Sequence, residues 1–296
     1  MDLSKIGLIV EGGGMRAAYT AGVLEAFLDH DIEFSYIVAV SAGSSTSMSY
    51  LSKQKGRNKR IYTKWVTDKR FMGVKSIISE HSFFGMNFLF DTLPRELDPF
   101  DYETFLKYKG VFKVCATHCD TGKPVYFEPL LENNVDDTTM LIRASSSLPL
   151  ISPIVTIKGE KYLDGGLSDS IPVQKSIDDG NSRHVLILTR NLDYTKEFSR
   201  NGYYTSKLFL KKYPKIVECI KTRHNVYNRT LSQIRQLEAD NLAYVFRPQK
   251  ALNIDRYEKD QRKLTQLYEQ GYGETLAKLP DFKAWVLGSS NSADKK

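Results

Sequence analysis

Cysteine is scarce in this 296-residue chain, with three in all. An odd number, behind an N-terminus without a secretory leader pattern, argues against a disulfide framework. Cys115-Ala116-Thr117-His118-Cys119 brings two thiols and an imidazole together, but neither Cys219 nor the other histidines supply a matching second half. No structural metal is therefore expected. Long apolar runs are also missing, and nothing approaches the ~20 residues that a membrane-spanning helix needs. Met1-Asp2-Leu3-Ser4-Lys5 lacks the basic-then-apolar order of a signal peptide. The expected location is cytoplasmic, with peripheral contact to an anionic membrane surface as the one route to a bilayer. Internal repeats, low-complexity tracts and linker-like stretches are absent, so nothing marks a second independent domain. Histidine numbers only five, which limits the bases available to any nucleophile.

What is present reads as an ordinary globular protein. Hydrophobic residues at 41% and charged residues at 26% exclude a disordered chain, and the length suits one large domain. The net charge of +7 permits attraction to anionic lipid or nucleic acid. The basic residues are interleaved with acids and no nucleic-acid module is recognisable, so nucleic acid is not expected as a partner.

The framework alternates strand and helix. Residues 5–10 predict a buried strand, 15–30 a helix with Ala17, Ala21, Leu24 and Leu28 on one face, 36–40 a second strand and 44–53 a second helix. This order opens a right-handed parallel α/β sheet. Further strands are expected at 111–116, 125–127, 154–157, 184–189 and 242–246, with helices at 138–146, 206–240 and 255–278. Residues 154–163 suggest a hairpin turning at Gly159-Glu160.

Two stretches stand apart. Residues 53–60 carry five positive charges and no acid, and 71–90 are rich in phenylalanine, methionine and aliphatics. They read either as a solvated turn followed by core packing, or as a basic collar beside an acyl tunnel or lid at a membrane surface.

Chemistry concentrates at three places. Gly12-Gly13-Gly14 follows the first strand and opens the first helix. Gly12-x-Gly14-x-x-Ala17 matches a dinucleotide fingerprint, but that motif needs an acid at the end of the second strand, where Ser41 stands instead. No Gly-Lys-Ser/Thr follows, which excludes a phosphate-binding P-loop. Backbone amides of a glycine turn can instead converge on one oxyanion. Ser41, in Val38-Ala39-Val40-Ser41-Ala42-Gly43, sits between a strand and a helix as in a nucleophile elbow. Taken alone it reads as a helix N-cap, a position serine favours. Ala39 and Gly43 keep the turn uncrowded.

The base is the harder assignment. His118 is the best of a weak set, while His184 precedes its strand, the wrong end of a parallel sheet for an active site. Asp164, in Asp164-Gly165-Gly166, is the better candidate: a carboxylate desolvated beside the hydroxyl gains basicity, and Gly165 and Gly166 leave room for the approach. Taken alone the triplet is an ordinary turn signal.

Together, Gly12-Gly13-Gly14-Met15-Arg16, Ala39-Val40-Ser41-Ala42-Gly43, Arg143-Ala144-Ser145-Ser146-Ser147-Leu148-Pro149 and Asp164-Gly165-Gly166 resemble the patatin-like phospholipases, most of all bacterial members with a charged helical C-terminal region. The resemblance covers about residues 6–190. It implies a three-layer α/β/α fold with a mostly parallel sheet and a catalytic core over 1–190; the residues themselves suggest a helical region over 191–286 packed on the same domain, with a strand near 242–246, and a small, polar, flexible tail over 287–296. It also implies a Ser41–Asp164 dyad without histidine, an oxyanion hole from Gly12, Gly13 and Gly14, an acyl lipid or phospholipid substrate, and no cofactor. Arg16 is placed either near a lipid phosphate or as a cap on the loop. Ala39 departs from the family's glycine and Ala17 from its frequent loop-ending glycine, which bears on rate. The alternatives are a carboxylesterase or thioesterase on soluble acyl esters, and a non-catalytic lipid-binding protein on the same fold.

Overall fold

The computed structural model of the chain describes residues 2–132, 134–251 and 253–288. Eight strands form one sheet: β1 (Ile6–Val10), β2 (Tyr36–Val40), β3 (Val111–His118), β4 (Pro124–Phe127), β5 (Val155–Ile157), β6 (Glu160–Asp164), β7 (Arg183–Ile187) and β8 (Ala243–Phe246). Ten α-helices accompany them among the described residues: α1 (Ala17–Asp29), α2 (Ala42–Leu51), α3 (Arg57–Thr63), α4 (Val74–Glu80), α5 (Tyr102–Leu106), α6 (Val135–Ser145), α7 (Val173–Asp178), α8 (Arg200–Phe209), α9 (Pro214–Ala239) and α10 (Gln261–Leu287).

The run β3-β2-β1-β7-β8 is parallel throughout, while β4 and β6 pair with β3 antiparallel, and β5 with β6 likewise. Parallel strands are covered on both faces. Accordingly β1, β2 and β7 are uninterrupted apolar or buried runs. Successive side chains alternate between the faces. Leu8, Val10, Ile37, Ala39, Val185 and Ile187 join the core beneath α1, α2 and α10. Ile9, Val38, Leu186 and Val245 join Tyr227 and Ile234 of α9 on the other side. The fold is thus three layers, α/β/α.

The C-terminal segments complete both outer layers. α10 crosses α1 closely enough that a Cβ at Gly271 would lie 2.2 Å from the Tyr19 carbonyl oxygen. Phe282 of α10 and Phe246 of β8 surround Phe27 of α1, with ring centroids 6.1 and 5.1 Å away.

Several expectations need adjustment. The helix expected over 206–240 is two helices, because Pro214 starts α9 at a position that suits proline. α10 begins where the Asp260 carboxylate accepts the amides of Arg262 and Lys263, and it continues beyond 278 through Pro280 because Phe282 and Val286 are buried. The β5–β6 hairpin turns at Lys158-Gly159, both at positive φ, one residue before Gly159-Glu160. Of the tail expected over 287–296, residues 289–296 lie outside the described residues.

The five cations of 53–60 do not form a free collar, because each has an acidic partner. Arg57 and Arg60 share Asp98, and Lys53, Lys55 and Lys59 pair with Glu33, Asp29 and Glu269. Within 71–90, Phe71, Met72, Phe84, Met86 and Phe88 are buried, while Val74, Ile77 and Ile78 on α4 face solvent.

Candidate active site

Ser41 follows the last residue of β2 and precedes α2. Its backbone stands at φ 55° and ψ −130°, a combination that costs a non-glycine residue about 1–3 kcal/mol. Ser145 and Ser44 hold it there. Its amide donates to Ser145 Oγ at 2.8 Å, Ser145 Oγ donates to the Cys115 carbonyl at 2.6 Å, and the Ser41 carbonyl accepts the Ser44 amide and hydroxyl. Ala39 lies inside the sheet between Val10 and Val114. Gly43, the second residue of α2, packs against the carbonyls of Val10 and Glu11.

Strand register brings Asp164 to this serine. At Val114 and Cys115, β3 has β2 on one edge and β4 on the other; at Ala116 and Thr117 it has β4 and β6. β2 and β6 therefore share one edge of β3, end to end. β2 stops at Val40 opposite Cys115, and β6 stops at Asp164 opposite Ala116. The residue after Val40 meets the carboxylate head on: Ser41 Oγ donates to Asp164 Oδ2 at 2.6 Å. The other oxygen, Oδ1, accepts the Gly166 amide at 2.7 Å. Gly165 packs on the Cys115 carbonyl, and the Arg223 guanidinium donates to the Gly166 carbonyl. Asp164 is 2% exposed. Burial pushes its carboxyl above the usual range, against the opposing pull of the Ser41 hydroxyl, Arg223 and the Gly166 amide.

The glycine loop lies against the same serine. Gly12 packs on Ser41, a Cβ there falling 2.8 Å from Ser41 Cβ. Gly14 stands at φ 57°, and a Cβ on it would meet the Arg256 carbonyl at 2.6 Å. That carbonyl accepts the Met15 amide, so a residue from far along the chain braces the loop. Ahead of the glycines, buried Glu11 accepts the Thr189 amide and hydroxyl and the Tyr227 hydroxyl. Among the described residues the Gly12 and Gly13 amides donate to no protein acceptor.

Two cavities meet at Ser41, Gly14 and Leu148. One, of about 150 Å³, is walled mainly by apolar side chains, including Phe71, Phe84, Met86, Phe90 and Ile142. The other, of about 40 Å³, is polar and holds Gly12, Gly13, Arg16 and Asp164. No histidine lines either cavity. His118 bonds Glu160 near the surface, and buried His184 bonds Ser176 at the start of β7, the opposite end of the parallel sheet. Among the described residues no group of three or more His, Cys, Asp or Glu side chains is placed to hold a metal ion.

The structure thus assembles Gly12, Gly13, Gly14, Ser41 and Asp164 around one point, with Arg16 on the polar side. Sequence reasoning missed Glu11 and Ser145 as supports. It also missed Arg190, Lys196, Arg223 and Arg256, which complete the polar wall. Ser145 lies in a segment already singled out by its pattern, whereas the four cations carry no local signature.

A family model described as patatin-like phospholipase matches residues 8–176, and a second, a domain of unknown function (DUF6363), matches 213–287. The chain is similar to the uncharacterized protein YjjU of Escherichia coli K12, at 30% identity over 190 residues. That match covers 62% of this chain and 52% of the relative, so the chain spans about half the relative's length. Among solved structures it is similar to VipD from Legionella pneumophila, at 12% identity and a TM-score of 0.44, covering 93% of this chain and 67% of that one.

Proposed function

The chain belongs to the patatin-like phospholipase family, whose members are generally lipid acyl hydrolases, and from that premise we propose that it cleaves carboxylic esters of phospholipids or related acyl lipids through a Ser41–Asp164 dyad. The observation that carries this is the 2.6 Å hydrogen bond from Ser41 Oγ to the buried Asp164 carboxylate, at the junction of an apolar cavity and a glycine loop.

In the proposed reaction Asp164 Oδ2 takes the Ser41 proton as Oγ bonds to the ester carbonyl carbon. The tetrahedral oxyanion receives the amides of Gly13 and Gly14, with help from Gly12. A donor of this kind contributes on the order of 3 kcal/mol in the transition state. The carbon–oxygen bond to the leaving alcohol then breaks, and Asp164 returns the proton to that oxygen. Water attacks the acyl-enzyme with Asp164 again as base, releasing the fatty acid and restoring Ser41. Burial of Asp164 raises its basicity, which suits a carboxylate doing work usually given to histidine. The acyl chain lies in the apolar cavity.

Active-site titration with a fluorophosphonate tests the dyad. Wild type is expected to label stoichiometrically, Ser41→Ala not at all, and Asp164→Asn at a small fraction of the wild-type rate. A labelled Ser41→Ala chain would end the proposal. A folded wild type that never labels, with or without vesicles, would favour a non-catalytic lipid binder. Turnover restricted to soluble esters would favour the carboxylesterase or thioesterase alternative.

We also propose peripheral contact with a lipid surface, without a membrane span; among the described residues no helix is long and apolar enough to cross a bilayer. With the cations of 53–60 already paired, α4 is the better contact. Its Val74 and Ile78 are 72% and 75% exposed, and α4 lies between Phe71 and Phe84 of the apolar cavity in sequence.

A further inference from the structure

The polar cavity beside Ser41 gathers five cationic side chains: Arg16, Arg190, Lys196, Arg223 and Arg256. Two carboxylates share it, Glu11 and Asp164. Both oxygens of Glu11 are taken by Thr189 and Tyr227, and those of Asp164 by Ser41 and Gly166. Among the described residues none of the five cations forms an ion pair within 4 Å. Arg16 is 7% exposed, and its buried Nε has no hydrogen-bond partner. Arg190 and Lys196 lie over the rings of Tyr194 and Tyr227, at 4.4 and 4.5 Å.

Arg16 is buried and the other four are half-buried, and crowding like charges away from water is unfavourable unless an anion joins them. Burial, with repulsion from Arg190 and against the attraction of Glu11, brings the Arg16 guanidinium down to about 10, and burial, with repulsion from Arg223, Arg256 and Arg16 and against the same Glu11, brings the Lys196 ammonium down to about 7. The cavity, at about 40 Å³, has room for roughly three water-sized groups, close to the bulk of one phosphate. It meets the apolar cavity at Gly14, Ser41 and Leu148, so an ester whose acyl chain fills the apolar side can extend its leaving group into it.

We infer that this chamber receives the phosphate of the leaving group, so that the substrate is a glycerophospholipid with an anionic head and no cationic group on it. This rests on the hydrolase reading of the Ser41 site. Arg223 on α9 and Arg256 just ahead of α10 lie within the 213–287 match to a domain of unknown function. That region thereby acquires a role as the wall that selects the head group. Guanidinium groups suit it because they fork onto phosphate oxygens.

The test uses short-chain lipids as monomers, which removes adsorption to a charged surface. Dihexanoyl phosphatidic acid, dihexanoyl phosphatidylcholine and p-nitrophenyl butyrate are given to the full chain and to Lys196→Gln/Arg256→Gln. Binding of glycerol 3-phosphate and of inorganic phosphate is measured in parallel by calorimetry on Ser41→Ala chains with and without the two substitutions.

Wild type is expected to favour the phosphatidic acid over the phosphatidylcholine by about tenfold or more in kcat/KM, the scale of one lost charged hydrogen bond. The double variant should lose that preference. Glycerol 3-phosphate should bind the Ser41→Ala chain and bind the doubly substituted one at least about tenfold more weakly. Equal cleavage of the two lipids, with inorganic phosphate binding as tightly as glycerol 3-phosphate, would make this a free-phosphate site and overturn the inference. A preference that survives both substitutions, or no phosphate binding at all, would also overturn it. If no ester is cleaved yet glycerol 3-phosphate binds and the substitutions abolish binding, the hydrolase proposal fails and the head-group site stands.

Discussion

Ser41 is held in an unfavourable backbone conformation by a neighbour that touches no substrate in the proposed mechanism. Ser145 is fully buried and uses its hydroxyl twice, accepting from the Ser41 amide and donating to the Cys115 carbonyl. Ser145→Ala strands both groups away from water, and about 2 kcal/mol of stability should go with them. As a positioning residue it should lower kcat for a soluble ester while leaving KM nearly unchanged. Paired thermal melts and kinetics would check this, and a variant with reduced KM-dependent binding alone would contradict it.

Asp164 makes a separate prediction through pH. Its folded-state carboxyl lies above the ordinary value of 3.8 because of burial. The folded chain therefore holds this proton more tightly than the unfolded chain. The resulting stabilisation is complete below 3.8 and is lost as pH rises through the displaced value. The proposed catalysis needs the carboxylate, so the acid limb of kcat/KM for a neutral soluble ester should sit above the usual carboxylate range. A limb within that range would count against burial as the controlling influence.

At the scale of elements, α4 and the α1–α10 crossing make contrasting cases. α4 exposes Val74, Ile77 and Ile78, which add little to the core. Val74→Glu with Ile78→Glu is expected to leave the melting temperature nearly unchanged and to cut turnover on anionic vesicles several-fold, with monomeric ester hydrolysis as the reference. Equal losses on both substrates would remove α4 from the lipid-contacting face. The α1–α10 crossing is the reverse. Gly271→Ala forces a methyl toward the Tyr19 carbonyl and should cost about 1–3 kcal/mol by overpacking, seen in denaturant melts with no specific effect on lipid.

These elements also show where sequence pattern carries information. β1, α1 and β2 were legible because buried parallel strands are short apolar blocks and α1 has a helical stripe. Ser41, the glycines and Asp164 were legible as local motifs, each tied to a turn. The end of α10 was not, since Pro280 reads as a stop and the distant Phe27, Tyr244 and Phe246 explain why Phe282 continues the helix. The cationic wall was hidden for a similar reason. Its members come from residues 16, 190, 196, 223 and 256, and a lone arginine on a charged helix has no pattern of its own.

For the molecule as a whole, the family match ends at residue 176, but the packing does not. Phe246, Leu264, Leu267 and Phe282 share one core with Leu8, Leu24 and Phe27, and β8 covers the outer edge of β7. We therefore expect residues 1–190 alone to be insoluble or to lack a cooperative unfolding transition, and the full chain to unfold in a single one. A well-folded, monomeric 1–190 fragment would show the C-terminal region to be a separate unit.

The brace of the glycine loop by the Arg256 carbonyl has a consequence in time. A ribosome delivers Ser41 and Asp164 long before residue 256, and longer still before α10. Until then the loop lacks its clasp, and the anion-binding wall has only Arg16 and such cations as have emerged. An unfinished chain thus carries Ser41 and Asp164 without the braced loop that the proposed ester cleavage needs, and protein synthesis itself becomes the safety catch on that proposed reaction.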